Sequence, residues 1–354
     1  MGAYMRRHRR LLLLQALLTV VSIGFLALRV DVGEAVEQLT EVRLFWALPG
    51  LLAFTLSKAI HSYRWRVLLW HRRELRASDL LSVFLVSNLA NAVVPLRAGD
   101  VLRVELTRRR FGIPRPELTS SVFLVESVLD GVAFIALLLP ALLLLNPSAL
   151  RTPMAALIGA GVLGIFAASL LMARMEVAAN VERWRLLRPL PDRARARVAA
   201  IIPSFVNGMR VLRSGRPVTI AVALSIVAWI AEVSVYWMMG RAFGLELGLS
   251  EAVLVMIAAN VIVSLPLTPW AVGPYEIAVT EAMALMGFGL SQAGAFAVGS
   301  HILLVIWISI TGLLAMWTLK VSPHELIPQA TSAGDESTSE DRIPAVDEAT
   351  RPDR

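Results

Sequence analysis

Charged side chains occur inside stretches of this sequence that are otherwise apolar. Arg97 lies within a Pro/Gly interruption and Arg103 just beyond it, while Glu126 and Asp130 follow in an apolar run, four residues apart and therefore on one face of a helix. Charges within apolar segments are costly, usually face a protein interior, and mark transport pathways or proton relays. Mutual neutralisation, with Arg97 or Arg103 paired to Glu126 or Asp130, is the alternative, and the sequence leaves both roles open.

A second Pro/Gly interruption carries a similar set of side chains. His301 lies in the next apolar run, at the position that Glu126 occupies after the first interruption. Trp270 lies inside the interruption, and we interpret it as a lid over a cavity, with simple packing as the alternative. The candidate pathway residues of this second set are Trp270, Tyr275, Glu276, Glu281 and His301.

Each interruption is followed by the start of a new helix, near Asp100 and at Pro274. Irregular backbone at membrane depth persists only where protein buries it or where it lines a wet cavity. Helix N-termini carry partial positive charge and free N–H groups, so two that point inward form an anion site. With Arg97 and Arg103 beside the first helix start, the sequence predicts a site for an anionic phosphate head group.

Other chemistries find little support. Asn88 and Asn260 are candidate pathway residues, although interhelical hydrogen bonding is the favoured role for them. His61 and His71 are interpreted as solvated residues beside a basic loop. There is no cysteine, no H-E-x-x-H and no G-x-x-x-x-G-K-[ST] phosphate loop. We therefore expect no metal site, no cofactor, no catalytic residue and no NTPase activity.

The composition indicates that most of the surface faces hydrocarbon. Hydrophobic residues make up 56% of the 354 and charged residues only 17%, against roughly 45–50% and about 25% in soluble domains. The formal charge of +7 divides into +12 for residues 1–320 (31 Lys/Arg, 19 Asp/Glu) and −5 for residues 321–354 (3 and 8). This positive charge does not indicate nucleic-acid binding, since the basic part of the chain is a membrane domain. The acidic tail is predicted to be disordered.

The apolar runs predict an all-α polytopic membrane protein with about six full transmembrane helices. Tryptophans near the predicted interfaces, Trp65, Trp70, Trp237 and Trp317, are expected to be membrane anchors. The predicted spans are 11–28, 44–62, 118–145, 153–173, 217–240 and 292–319.

Two further apolar stretches, 79–95 and 251–267, run into the interruptions, and we predict that they form re-entrant helical hairpins. The segments 64–76, 97–115 and 174–216 contain five, six and ten arginines. Short arginine-rich loops stay in the cytoplasm, and re-entrant hairpins put all three there. The predicted topology has both termini in the cytoplasm.

The two interrupted stretches match each other in spacing. Asn88 follows Ser78 by ten residues and Asn260 follows Ser250 by ten, and Pro and Gly of each interruption (95 and 99, 269 and 273) are four apart. The two hairpins are predicted to enter the membrane from opposite sides, so repeat A (about 44–145) and repeat B (about 217–319) form an inverted repeat. Such repeats, with broken helices meeting near the midplane, are typical of secondary transporters.

Three motifs resemble the membrane region of the lysylphosphatidylglycerol synthase/flippase family over roughly residues 10–320. They are N-A-V-V-P-L-R-A-G-D-V-L-R (91–103), E-S-V-L-D (126–130) and L-P-L-T-P-W-A-V-G-P-Y-E (265–276). The family commonly has arginine at the position of Ser127 and again near His301, and more often glycine at Trp270 or Ala271. Because only 34 residues follow Lys320, we expect this protein to lack the soluble aminoacyl-transferase domain of bifunctional members.

The resemblance implies a flippase-like protein of the cytoplasmic (inner) membrane of a prokaryote. It would move a phosphate-bearing lipid, either a phospholipid or a polyprenyl-linked one. Its expected partners are membrane lipids with anionic phosphate head groups and a separate lipid-modifying enzyme. Two alternatives stay open. In the first alternative, the protein is a membrane-embedded enzyme that acts on lipid-linked sugars. In the second, it is an accessory scaffold for cell-envelope lipid modification.

Overall fold

The computed structural model describes residues 9–72, 74–94, 98–145, 191, 214–265 and 267–322. Helices and short connections make up this part of the chain, and it contains no strand. The predicted span 153–173, the basic stretch 174–213 apart from Pro191, and the tail from residue 323 lie outside the described residues, so those predictions are untested. The described helices are α1 (Arg9–Arg29), α2 (Val32–Thr40), α3 (Leu44–Leu68), α4 (Ala77–Val93), α5 (Ala98–Phe111), α6 (Arg115–Phe123), α7 (Asp130–Leu145), α8 (Gly215–Ala242), α9 (Leu249–Ser264), α10 (Pro274–Leu285) and α11 (Leu290–Leu319).

Three of these helices, α3, α8 and α11, are long and apolar enough to cross a membrane. The pair α1–α2 makes a fourth candidate if it counts as one span, and it bends by 95°. The bend follows from Asp31, whose side chain accepts from Gly33 N at 2.9 Å and Glu34 N at 3.1 Å and so starts α2. The described residues thus contain three to four candidate spans.

The predicted span 118–145 is not one continuous α-helix. It comprises the end of α6, a π-helical turn at Leu124–Leu129, and α7, which begins at Asp130. A π-turn inserts residues into the helical register and therefore rotates the helix after it. Glu126 lies in this turn and Asp130 directly after it.

Helices α3 and α8 form the centre of the molecule and run in opposite directions. Arg43 N donates to Ala242 O at 2.9 Å near the start of α3, and Ser57 Oγ donates to Glu232 Oε2 at 2.6 Å in the middle. Near its end, Arg64 Nη1 donates to Ser225 Oγ at 2.8 Å. Contacts that advance along α3 while they retreat along α8 define an antiparallel pair.

The helices after α3 and those after α8 come in the same order and pack on corresponding neighbours. A broken helix pair comes after each, α4–α5 and α9–α10, and then a longer apolar stretch, α6–α7 and α11. Helix α4 packs against α3, α5 and α11, and α9 packs against α8, α10 and α7. Each of these two helices thus contacts the helix before it, the helix after it, and the last helix of the other set.

Three side chains that were expected at the membrane surface are inside the protein. Helix α3 continues to Leu68, six residues beyond the predicted span end, so His61, Arg64 and Trp65 are still within its packed portion. Trp65 has no exposed surface and donates to Ser121 Oγ at 2.9 Å, so its assignment as an interfacial anchor was wrong. Trp70 and Trp317 are exposed, as an anchoring role requires.

Candidate functional site

The two broken helices meet at a cavity of about 270 Å³. Its walls come from both sets of helices: α3, α4, α5 and α7 on one side, and α8, α9, α10 and α11 on the other, with Gln15 of α1 at the edge. The cavity therefore lies where the sequence predicted a pathway. Eight predicted site residues line it: Asn88, Asp100, Arg103, Asp130, Asn260, Trp270, Tyr275 and His301.

The first break is held against α4 by side chains. Asn91 Oδ1 accepts from Gly99 N at 2.8 Å, Asn91 Nδ2 donates to Asp100 Oδ1 at 3.1 Å, and Ser87 Oγ donates to Gly99 O at 2.8 Å. A Cβ at Gly99 would lie 2.0 Å from Ser87 O. Glycine is needed here because the backbones approach too closely for any side chain.

Arg103 is the buried cation next to this break. Only 1% of the residue is exposed, and its guanidinium lies 5.3 Å from the Trp65 ring centroid and 5.0 Å from that of Phe84. Its Nη2 is 3.5 Å from Asp100 Oδ1. Aromatic faces attract a desolvated cation, so these rings keep a positive charge at the cavity wall.

Asp130 accepts hydrogen bonds from a buried arginine that was expected in a solvated loop. Arg64 bonds both carboxylate oxygens, with Nη2 3.2 Å from Oδ2, and Trp229 Nε1 donates to Oδ1 at 2.8 Å. Arg64 has no exposed surface. Counting it among the arginines of a cytoplasmic loop was wrong, because α3 is still helical and packed at this residue.

A second buried ion pair joins the antiparallel helices. Lys58 Nζ lies 3.1 and 3.0 Å from the two oxygens of Glu232, which also accepts from Ser57. Lys58 additionally stands over the Phe54 ring at 4.4 Å. Lys58 was not among the predicted site residues. Glu232 lies in the middle of the predicted span 217–240, where a charge indicates a side chain that faces the protein interior.

The second break contains strained backbone and a carboxylate cap. Trp270, Ala271 and Gly273 have positive φ of 57°, 55° and 94°. Glu276 Oε2 accepts from Gly273 N at 2.6 Å, and its Oε1 lies 2.6 Å from His301 Nδ1. The Gly273 N–H therefore donates to the protein's own carboxylate and is not available to an external anion. The remaining groups of the predicted anion site are Arg97, Arg103 and the helix start near Asp100.

Two histidines line the cavity in different surroundings. The Tyr275 ring stacks on that of His301 with centroids 4.0 Å apart. His61 is 4% exposed and lies between Phe84 and Trp229, with centroid separations of 6.2 and 5.1 Å. The prediction of a solvated His61 was wrong, whereas His71 is exposed and contacts Glu117.

The asparagines at equivalent positions of α4 and α9 are not joined to other helices by their amide nitrogens. Asn260 Nδ2 donates to Met256 O of its own helix at 2.9 Å. Asn88 Nδ2 is buried without an acceptor in the described part of the chain. Their amides are therefore cavity-lining groups rather than the interhelical links that the sequence suggested.

The other four predicted site residues are not among the described lining of the cavity. Glu281 is half-exposed and pairs with Arg29 at 3.1 Å, away from the cavity. Arg97 lies outside the described residues, and of Glu126 only the backbone is described. Glu276 is buried directly behind His301 rather than on the cavity wall.

Comparison with known proteins gives two matches. The sequence profile of the family described as "Lysylphosphatidylglycerol synthase TM region" matches residues 12–312. The chain is also 26% identical to the glycosyltransferase AglD of Haloferax volcanii over 355 aligned residues, which cover 90% of this chain and 56% of that protein. The chain thus spans little more than half the length of this relative.

Proposed function

The chain belongs to the lysylphosphatidylglycerol synthase TM-region family, and from that premise we propose that it is a lipid flippase. It is a multi-pass membrane protein of a family with lipid or glycolipid-related function. In the proposed activity, a phosphate-bearing head group crosses the membrane through the cavity between the two broken helices. The acyl or prenyl tails stay in the lipid, and no cofactor or catalytic step takes part.

The observation that carries the proposal is the charged lining of a cavity enclosed by apolar helices. Moving an isolated phosphate-sized ion into a medium of low dielectric constant costs on the order of 20 kcal/mol in the idealised case. Arg103 and Lys58 reach the cavity from α5 and α3, and both are held by aromatic rings. A head group that enters the cavity loses its hydrating water and gains contacts with these cations and with the amides of Asn88 and Asn260.

We further propose six full spans and two re-entrant hairpins arranged as an inverted repeat. The antiparallel packing of α3 and α8, which begin the two repeats, supports opposite directions through the membrane. The corresponding neighbours of α4 and α9 support the pairing of the repeats. In this topology the arginine-rich connections and both termini are in the cytoplasm of a prokaryote.

One observation favours a second candidate function. The AglD relative is named a glycosyltransferase, which favours action on lipid-linked sugars, either by this chain as an enzyme or by a separate enzyme that it serves as a scaffold. The activity of that relative belongs to a protein nearly twice as long. An enzyme would form product in detergent, where no bilayer separates two sides, and a flippase would not.

The test is lipid movement in vesicles reconstituted with the purified protein. Acyl-labelled phosphatidylglycerol in the inner leaflet becomes accessible to an external quencher only when it crosses the bilayer. We expect Arg103→Gln to slow this at least ten-fold and Arg103→Lys to slow it less, because lysine retains the charge. Arg109→Gln is the matched control, since Arg109 lies on the same helix, is 55% exposed and pairs with Glu105. Equal rates with and without protein would refute the proposal.

A further inference from the structure

His301 and Glu276 form a buried pair that reaches from the cavity to the second break. His301 Nδ1 lies 2.6 Å from Glu276 Oε1, and the side chains are 8% and 11% exposed. The other oxygen of Glu276 accepts from the N–H of Gly273, the residue directly before α10. One carboxylate therefore links the imidazole to the backbone of the broken helix.

The hydrogen bond determines which ring nitrogen exchanges protons. A carboxylate accepts from Nδ1–H, so in the neutral imidazole Nδ1 is the donor and Nε2 carries the lone pair. Nε2 makes no hydrogen bond within the described part of the chain. His301 lines the cavity, so a proton that enters the cavity can bind at Nε2.

The other acidic groups of the cavity already have cationic neighbours. Asp100, which lies against Arg103, also accepts from Asn91. On the helices packed against α11, the carboxylates Glu34 and Glu37 of α2 are away from the cavity. The remaining pairs are Glu232 with Lys58 and Asp130 with Arg64.

The remaining titratable groups of the cavity do not offer an equivalent site. His61 lies among Lys58, Arg64 and Arg103, so it is surrounded by positive charge, whereas His301 contacts a negative one. Tyr236 and Tyr275 are phenols, whose ordinary pKa of about 10 keeps them neutral at physiological pH. Histidine is the side chain whose charge changes most readily near neutral pH.

We propose that His301, together with Glu276, is the proton-binding site of this cavity and that a proton is taken up with each anionic head group. This inference rests on the proposed flippase function. With Nε2 empty the pair carries one negative charge, which repels a phosphate. With Nε2 protonated the imidazolium neutralises Glu276, and the anion enters a wall without net charge.

Protonation of His301 also affects the second break, because Glu276 bonds both His301 and Gly273. An imidazolium draws the Glu276 carboxylate more strongly than a neutral ring does, and that carboxylate also holds Gly273 N. Protonation therefore competes with the helix cap at the residue where φ is 94°. Trp270 has positive φ in the same break and lines the cavity, so this competition takes place next to a cavity-lining residue.

The experiment is the pH dependence of phosphatidylglycerol movement in reconstituted vesicles between pH 5.5 and 8. A step that requires one proton can change its rate by up to about ten-fold per pH unit. We expect the wild-type rate to fall at least five-fold from pH 5.5 to 8, and the rate of His301→Gln to vary less than two-fold. His61→Gln is the matched control and should retain the wild-type profile, whatever its absolute rate.

A second measurement separates failure of this site from failure of the proposed function. The chain has five histidines, so NMR of protein labelled with ¹⁵N-histidine resolves each ring, and His301→Gln identifies its signal. A His301 signal that changes between neutral and protonated forms from pH 5 to 8 supports the site even if no lipid moves. A pH profile unchanged in His301→Gln, or a His301 signal that does not titrate, overturns it while leaving lipid movement intact.

Discussion

The buried pair between Lys58 and Glu232 gives the sharpest stability prediction. Both Glu232 oxygens lie within 3.1 Å of Lys58 Nζ, and the two side chains are 12% and 3% exposed. Removing one partner of such a pair leaves a buried charge uncompensated, which costs about 3–5 kcal/mol. We therefore expect Lys58→Met to lower the free energy of unfolding by this amount and Glu232→Gln by a similar amount.

The double variant Lys58→Met/Glu232→Gln should be far less destabilised than the sum of the singles. Neither charge of the pair remains in it, and the new amide oxygen can still accept from Ser57, which now bonds Glu232 Oε2 at 2.6 Å. A coupling energy of at least about 2 kcal/mol is expected, in the range found for residues in direct contact. The assay is equilibrium unfolding in detergent, monitored by helical circular dichroism.

A matched pair calibrates this cycle. Arg29 and Glu281 are also 3.1 Å apart, but their side chains are 43% and 40% exposed. Exposed ion pairs contribute about 0.2–1 kcal/mol, so their cycle should give a coupling below about 1 kcal/mol. Additive effects at Lys58 and Glu232, or equal coupling in both cycles, would refute the assignment of a desolvated pair at the centre of the molecule.

Three further predictions concern the break, the core and the basic helix α5. Gly99→Ala should prevent stable folding, because its Cβ would lie 2.0 Å from Ser87 O, whereas Gly24→Ala, with nothing within 4 Å of the added Cβ, should leave the melting temperature unchanged or higher. Trp65→Phe should lower the free energy of unfolding by about 1 kcal/mol through loss of its hydrogen bond to Ser121; a change below about 0.3 kcal/mol in detergent unfolding would contradict this. Hydrogen bonds from Arg108 lower the pKa of Glu105 to about 2, against the opposing effect of burial and with further help from Arg109 and Arg115. Because the folded pKa is lowered, this stabilisation is present above about pH 4.5 and lost as pH falls towards 2; it is at most about 3 kcal/mol, and Glu105→Gln should flatten that part of the stability–pH curve.

The sequence indicated the two breaks and eight of the residues that line the cavity because those features are local. Pro/Gly spacing, the paired asparagines and the charges beside each break all lie within short segments, and helix geometry then carries them to a shared place. Glu281 shows the limit of this reasoning. It is five residues after Glu276, and a step of five residues turns the side chain to a different face of α10.

The buried ion pairs could not be assigned from the sequence because their partners are far apart in it. Lys58 and Glu232 are 174 residues apart, and Arg64 and Asp130 are 66 apart. The arginine count also assumed that every arginine near a span end is solvated. Arg64 breaks that assumption, since Asp130 and Ser225 accept hydrogen bonds from its two terminal nitrogens inside the protein and α3 extends past it.

The central claim is that lipid head groups cross through the cavity between the two breaks. The chain contains no cysteine, so Asn88→Cys, Asn260→Cys and Ile306→Cys each carry a single thiol. Ile306 is 50% exposed on α11 and does not line the cavity, which makes it the control. Labelled phosphatidylglycerol movement is measured before and after reaction with a bulky thiol reagent. We predict that modification at residue 88 or 260 stops movement and that modification at 306 does not; unimpaired movement with either cavity thiol fully modified would contradict the claim.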